Sequence, residues 1–344
     1  MKKKLTPDNI QELTENQIFV FGSNMNGNHA GGAARLAVEK FGAVMGQAEG
    51  IQGQSYAIPT LDKDMQKIAE EELTTYLGNF REFTEEHSEK EFLLTAIGTG
   101  IAGFDTNYMA YMILRANLPD NVTLPKEFTK IKGYKGFNPD MTCRGFKYEE
   151  GKYYEEEGEI EACKNGFHFC LHPLDVFGYY PPADIGMNKF HEVEGSGYMD
   201  ADHTKIACSK IHIGAKLDIK GLVKATVSYV KERCTNRNNA NPGFPATAGN
   251  YGAATAGDSG AATAGDSGAA TSRGSSSTGN NGLAVARGTN VKVRGGMGSI
   301  LVIAEEKENS YDVFDWKAVV VDGKNIKADT WYRLVNGEFV EVED

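Results

Sequence analysis

Two glycine-rich loops carry the residue types from which a phosphate-binding site is built. The first follows an apolar run at residues 18–21 and reads Gly-Ser-Asn-Met-Asn-Gly-Asn-His-Ala-Gly-Gly over residues 22–32. The second follows a strand-like run at 92–97 and reads Gly-Thr-Gly-Ile-Ala-Gly-Phe over residues 98–104. A buried strand that continues into such a loop and then a helix presents backbone N–H groups to an anion. Because such strand ends meet at one edge of an α/β sheet, we expect the loops to form opposite walls of one crevice.

Taken together, the two loops resemble those of a macrodomain, over roughly residues 10–128. Residues 97–104 are similar to the diphosphate loop of that family, with Gly-Thr-Gly, Ile, any residue, Gly and an aromatic residue. Residues 22–26 replace the family's Asn-Ala-Ala-Asn run with Gly-Ser-Asn-Met-Asn, which is nearer a divergent macro-like branch often seen in phage-associated proteins. The resemblance implies ADP-ribose or a related NAD-derived nucleotide as the ligand, and it leaves open whether that ligand is hydrolysed.

This resemblance and the residue types suggest a role for each part of the loops. Main-chain N–H groups of the second loop would hold the diphosphate, and Phe104 would either stack on the distal ribose or fill the core. The expected catalytic residues are Asn24, Asn26 and His29. The two asparagines could orient a water or only supply turn geometry. His29 is a candidate general base, or else a solvated or capping residue. The expected ligand-binding residues are Gly22, Ser23, Asn24, Gly27, Gly31, Gly32, Gly98, Thr99, Gly100, Ile101, Ala102, Gly103 and Phe104.

Strand and helix patterns alternate around these loops. We expect a helix that begins at Thr6, with Pro7 in its first helical position, followed by a strand at residues 17–21. Apolar residues at helical spacing predict a crossover helix over residues 65–83, with glutamates on its other face. The alternation predicts an α/β domain over residues 1–130, with a parallel or mixed sheet between helices.

Residues 246–271 repeat with a period of eight. The repeat places Thr247, Thr255, Thr263 and Thr271 in register, each directly after an alanine. It predicts a short β-solenoid over residues 241–298, in which each unit stacks on its neighbour and alanine and threonine point inward. Because such residues bury little apolar area, we expect several chains to pack side by side, and a resemblance to the small-residue repeats of trimeric adhesin heads favours a trimer. A flexible linker is the alternative interpretation.

The segment between these two parts, residues 131–240, has a different character, with Gly-Phe and Tyr-Tyr dipeptides and short strand patterns. We expect an α+β middle domain there and a β cap over residues 299–344, so that the C-terminal part of the chain is β-rich. Residues 133–344 resemble an uncharacterised phage and bacterial domain through Cys-Arg-Gly-Phe at 143–146, Gly-Phe-His-Phe-Cys at 166–170 and the Ala-Ala-Thr repeats. That resemblance implies no particular activity.

Composition limits the partners of this protein. Its 344 residues include 36 Lys and Arg against 47 Asp and Glu, and a net charge of −11 argues against nucleic acid as a partner. No apolar segment follows the basic start, so we expect no membrane association and a location in the cytoplasm of a bacterium or a phage-infected cell. Cys163, His168, Cys170 and His172 lie close together but lack the spacing of a zinc site, so we expect no metal and no cofactor.

Three functions fit these patterns. A binding protein would hold the ADP-ribose-type nucleotide and could sequester it on an oligomeric scaffold. An ADP-ribosyl hydrolase would need, in addition, a water held by Asn24, Asn26 or His29. A structural or virion-associated protein would act through its β-rich part and keep only a vestigial pocket. Binding without turnover, turnover, or neither would distinguish the three.

Overall fold

The computed structural model describes residues 4–180, 188–202, 204–233, 246–249, 252–308 and 310–343. These residues are rich in strands, and the strands form mixed sheets. The chain divides into two compact units. The first comprises Met1–Lys132, Tyr153–His168 and Glu194–His212, and the second comprises Gly133–Lys152, Phe169–Val193 and Ile213–Asp344.

A five-stranded sheet with three helices forms the N-terminal part of the first unit. The strands are β1 (Gln17–Asn24), β2 (Gly50–Gln52), β3 (Ser55–Leu61), β4 (Glu91–Leu94) and β5 (Val122–Thr123), in the order β2-β3-β1-β4-β5. The helices are α1 (Gly32–Lys40), α2 (Glu70–Glu86) and α3 (Thr106–Arg115). Strand β1 is parallel to both β3 and β4, and only β2 runs antiparallel to its neighbour. The predicted mixed sheet is therefore confirmed, and β1, β3 and β4 end at the same edge.

Two local predictions for this sheet need correction. No helix begins at Thr6, because the Thr6 N–H donates to Leu124 O at 2.8 Å and its hydroxyl lies 2.7 Å from that of Thr123, so the segment runs beside β5. Helix α2 begins at Glu70 rather than at residue 65. Three glutamates in its first turn suit the positive end of the helix dipole, and before it residues 63–65 form a turn and Lys67 an isolated bridge with Leu61 instead.

The middle of the chain forms a second five-stranded sheet and a small hairpin. Its strands are β6 (Lys130–Phe137), β7 (Thr142–Cys143), β8 (Phe146–Lys147), β9 (Tyr153–Glu155), β10 (Phe167–Phe169), β11 (Lys189–Ala201) and β12 (Ile206–Leu217). The sheet order is β10-β12-β11-β6 with β9 beside β12, and β7 pairs with β8. Two 3₁₀ helices (Lys126–Phe128 and Pro173–Gly178) and α4 (Ile219–Arg233) complete this region.

The C-terminal part consists of nine strands in one sheet. They are β13 (Ala246–Thr247), β14 (Ala253–Thr263), β15 (Ala269–Thr278), β16 (Leu283–Gly288), β17 (Lys292–Gly295), β18 (Ile300–Glu306), β19 (Val313–Val320), β20 (Trp331–Val335) and β21 (Glu338–Val342). From β13 to β18 every strand pairing is parallel, and β19 to β21 add antiparallel pairings. Residues 234–245, which end the expected middle domain and begin the expected solenoid, lie outside the described residues.

The pairing register corrects two expectations for the repeat. Ala253 lies beside Ala269 and Thr255 beside Thr271, so paired residues are two octads apart rather than one. Each octad therefore stacks on the next but one along the chain. The threonines do not point inward: Thr255, Thr263 and Thr271 are exposed while the alanines beside them are buried, because successive residues of a strand face opposite sides.

None of the helices in the described ranges is long and apolar enough to span a membrane.

Candidate functional site

The two glycine-rich loops flank one cleft at the edge of the N-terminal sheet where β1, β3 and β4 end. Its volume is about 230 Å³. Nine of the residues expected at the site line it: Gly22, Ser23, Asn24, Gly31, Gly32, Gly98, Gly100, Ile101 and Ala102. The other lining residues are Asn28, Ala30, Ala33, Ala34, Thr60, Leu61, Met65, Thr95, Ala96 and Ile97. The structure thus brings together most of the predicted loop residues.

Asn24 holds the first loop in shape. Its side-chain Nδ2 donates to Asn28 O at 2.7 Å, and its Oδ1 accepts from the N–H groups of Asn26 and Asn28, both at 3.1 Å. This is a side-chain turn of the kind that Asn forms with the backbone two residues on. Asn24 is only 5% exposed, and both acceptor positions of its amide oxygen are used inside the loop. Its side chain therefore has a structural task in this loop.

Three other predicted residues of the first loop do not line the cleft. Asn26 is exposed and donates to Lys63 O at 2.7 Å. His29 is 1% exposed, with Nε2 3.0 Å from Gln47 O. Gly27, at φ 63°, leaves no room for a side chain, because a β-carbon there would lie 2.4 Å from a backbone carbon of the neighbouring loop.

Helix α1 begins at the cleft with unpaired donors. Its N-cap residue, Gly31, supplies no side-chain cap, and the first helical N–H, that of Arg35, donates back to Gly31 O at 3.2 Å. Within the described ranges, the N–H groups of residues 32–34 find no acceptor, as expected for the first turn of a helix. The helix dipole adds a partial positive charge at the same end. Gly32, Ala33 and Ala34, whose side chains are absent or small, line the cleft.

The second loop supplies the matching wall. Gly98 adopts φ 74°, and a β-carbon there would press on Phe104 and Met109 at 3.2 Å, so glycine is required. Phe104 N–H donates to Gly98 O at 3.0 Å and closes the loop. Among the described residues, the N–H groups of Gly100, Ile101 and Ala102 have no acceptor, and all three residues line the cleft. The loop therefore offers a second set of backbone donors.

Thr99, Gly103 and Phe104, which were expected to contact the ligand, do not line the cleft. The Thr99 hydroxyl donates to Ala96 O at 2.8 Å, inside the loop. Phe104 is 6% exposed and stacks on Tyr108, with ring centroids 5.9 Å apart. Of the two interpretations of Phe104, the structure places the ring in the core.

The electrostatics of the cleft come from the backbone. The lining residues include no Asp, Glu, His, Lys, Arg, Cys or Tyr. Anion binding here would therefore depend on N–H groups and the α1 dipole, which do not titrate. Within the described part of the chain, no group of three or more His, Cys, Asp or Glu side chains is placed to hold a metal ion.

Sequence reasoning missed the third loop of the site, which follows β3. Thr60 and Leu61, at the end of β3, and Met65, in this loop, line the cleft. Asp62 is the signal that could have found it, since an aspartate just after a strand commonly starts a side-chain turn. The sheet order β3-β1-β4 places the end of β3 beside the end of β1, from which the first glycine loop departs.

The fold and the site together define an α/β sheet with a backbone-lined cleft at the carboxyl ends of its parallel strands. Residues 131–225, which lie outside the cleft, match the family model described as Domain of unknown function (DUF7666). No curated protein and no solved structure matches the chain.

Proposed function

We propose that the N-terminal sheet and its loops form a macro-like domain that binds ADP-ribose or a related NAD-derived nucleotide. The observation that carries this proposal is the pair of backbone donor sets, residues 32–34 and 100–102, on opposite walls of one cleft. Two adjacent phosphates carry more acceptor oxygens than one wall could satisfy, so a diphosphate suits two sets of donors. A β-carbon built on Gly31 would lie only 3.2 Å from Ile101 Cδ1, so the two walls approach closely.

Binding fits this geometry better than hydrolysis does. A hydrolase needs a group that activates water, and the lining side chains include none that titrates. Asn24 uses its amide within the loop, and His29 is turned into the core with Nε2 on Gln47 O. The domain therefore acts as a reader or a sequestering module for the nucleotide.

The C-terminal strands support the scaffold part of the proposal. In the described segments, β14, β15, β16 and β18 form successive parallel pairings, with Ala254, Ala262 and Ala270 buried between them. We take this stack for the octad-repeat solenoid, with two octads to each coil. Its core of alanines buries little area per residue, which favours stabilisation by neighbouring copies.

Isothermal titration calorimetry of the full chain with ADP-ribose tests the proposal, with NAD, cyclic ADP-ribose isomers and AMP in parallel. Gly100→Glu is the blocking variant, because a β-carbon there meets nothing within 4 Å and the carboxylate would enter the cleft without straining the loop. We expect its like charge to weaken ADP-ribose binding by at least about a hundredfold. Gly100→Ala should bind as the parent does.

Gly78→Glu is the matched control. Gly78 lies in α2, and its β-carbon would likewise meet nothing within 4 Å, so the same charge is added away from the cleft. It should leave ADP-ribose binding unchanged. The absence of any heat or thermal shift with all four kinds of ligand would overturn the proposal, as would equal affinity of the Gly100→Glu and Gly78→Glu variants.

A further inference from the structure

Met65 has an unusual backbone conformation at the mouth of the cleft. Its φ is 61°, in the left-handed region, and its side chain is 46% exposed. A residue with a long side chain avoids this region at a cost of about 1–2 kcal/mol. Such conformations persist where the surrounding structure fixes them, and they concentrate at ligand sites.

A tight turn built by Asp62 fixes Met65 in this conformation. The Asp62 carboxylate accepts from the N–H groups of Asp64 at 2.9 Å and Gln66 at 2.8 Å. The Asp62 backbone donates to Gln66 O at 2.8 Å and accepts from Met65 N–H at 3.3 Å. Four hydrogen bonds thus stabilise the segment of residues 62–66, and Met65 of this segment lines the cleft.

The same turn is tied to the second glycine loop. Lys67, two residues on, places its Nζ 5.2 Å from the centroid of the Phe104 ring. Ile101 of that loop is 78% exposed, and it is the other large apolar side chain of the lining that is exposed to solvent. Met65 and Ile101 thus add two exposed apolar side chains to the lining of the cleft. The cleft therefore combines exposed apolar side chains with backbone donors.

We propose that Met65 is a specificity-determining residue whose thioether packs against a planar base of the nucleotide that binds in the cleft; this inference rests on the proposed function. Backbone N–H groups recognise the diphosphate, which all such nucleotides share, and carry no information about the base. A thioether makes favourable contacts with the edge or face of an aromatic ring. Covering Met65 with a base also removes exposed apolar surface from water.

Met65→Asn separates this role from a structural one. Asn tolerates the left-handed region, so the variant keeps or raises the melting temperature while it loses the apolar contact. We expect ADP-ribose affinity to fall about five- to tenfold, which is the size of a sulfur–aromatic contact with its buried area. Met65→Leu, which stays apolar, should remain within about threefold of the parent. Met141→Asn, at φ 64° in the second unit, is the matched control and should leave affinity unchanged.

A direct readout is the methyl NMR signal of Met65 in protein labelled at its ten methionines, assigned by its loss in Met65→Asn. Saturating ADP-ribose should move the signal through the ring current of the base, and ribose 5-phosphate, which has no base, should not. An unmoved signal, or an ADP-ribose affinity of Met65→Asn equal to that of the parent, would overturn the inference about Met65. In that case the proposed function would still stand if Gly100→Glu blocked ADP-ribose binding. If the parent protein binds no nucleotide, the proposed function itself fails.

Discussion

Replacing Asp175 with asparagine should stabilise the second unit, and the gain should grow as the pH rises. Asp175 lies in the 3₁₀ helix Pro173–Gly178 and is 6% exposed. Its Oδ1 accepts from the Ser267 hydroxyl at 3.2 Å. His172 Nδ1 lies 3.6 Å from the same oxygen and accepts from the Leu174 N–H at 3.2 Å. The carboxylate is therefore buried, with the Ser267 hydroxyl as its hydrogen-bond donor.

Burial raises the pKa of Asp175 from its ordinary 3.8 to about 7, and the Ser267 hydroxyl lowers it only in part. Since each pKa unit corresponds to about 1.4 kcal/mol, ionising this group at pH 8 destabilises the fold by about 4 kcal/mol relative to the protonated form. The folded state holds the proton more tightly than the unfolded chain does. Its contribution to stability is therefore fully present below about pH 4 and is lost as the pH rises to about 7.

Urea unfolding at about pH 5 and about pH 8 measures this effect. Both tryptophans, Trp316 and Trp331, belong to the second unit, so intrinsic fluorescence reports its unfolding. Asparagine cannot ionise, so the difference in unfolding free energy between Asp175→Asn and the parent should widen by about 2–3 kcal/mol between the two pH values. Asp312→Asn, at an exposed position, is the control. Parallel stability curves for Asp175→Asn and the parent would refute the reasoning.

Two further predictions concern the first loop and the assembly. Gly27→Ala should lower the free energy of unfolding by more than about 2 kcal/mol, because it adds a left-handed alanine and a β-carbon 2.4 Å from a carbon of Gly46. Gly46→Ala, at φ 91° with open space around its β-carbon, should cost only about 1 kcal/mol, and equal losses in thermal unfolding would contradict the steric argument. Light scattering after size exclusion should give the mass of a trimer for the full chain, and a monomer at every concentration would contradict the side-by-side packing of repeats.

The sequence was sufficient to place the central strands of the N-terminal sheet, because their buried apolar runs leave a strong local pattern, but it did not give the residues at which these strands end. The apolar run at 18–21 is the buried centre of β1, which continues to Asn24, and the run at 92–97 overlaps β4, which already ends at Leu94. The start of α2 was predicted five residues too early, since Met65 and Ile68 continue its apolar spacing. The hydrogen bonds of Asp62 divert the chain before the helix begins. A single side chain thus outweighs a periodic pattern.

The period of the repeat was correctly identified, but its stacking was not. An eight-residue repeat in the sequence is equally compatible with pairing between successive octads and with pairing between octads that lie two apart. The sequence alone does not distinguish these two registers. The pairing of Thr247 with Thr263 shows that paired octads are sixteen residues apart along the chain. The direction of the side chains follows from strand alternation, in which the small alanine suits the tight interior and the threonine hydroxyl stays in water.

Which loop residues face the cleft could not be read from residue types, because the donors of this site are backbone N–H groups. Such a donor leaves no trace in the sequence except the small residues that permit approach, and glycine also serves loops that touch no ligand. Gly27 and Gly100 illustrate the ambiguity. The first is glycine because the backbone of Gly46 lies against it, whereas the second has open space on the side of the cleft. The same residue type therefore marks a packing constraint at one position and an access route at the other, and only the geometry separates them.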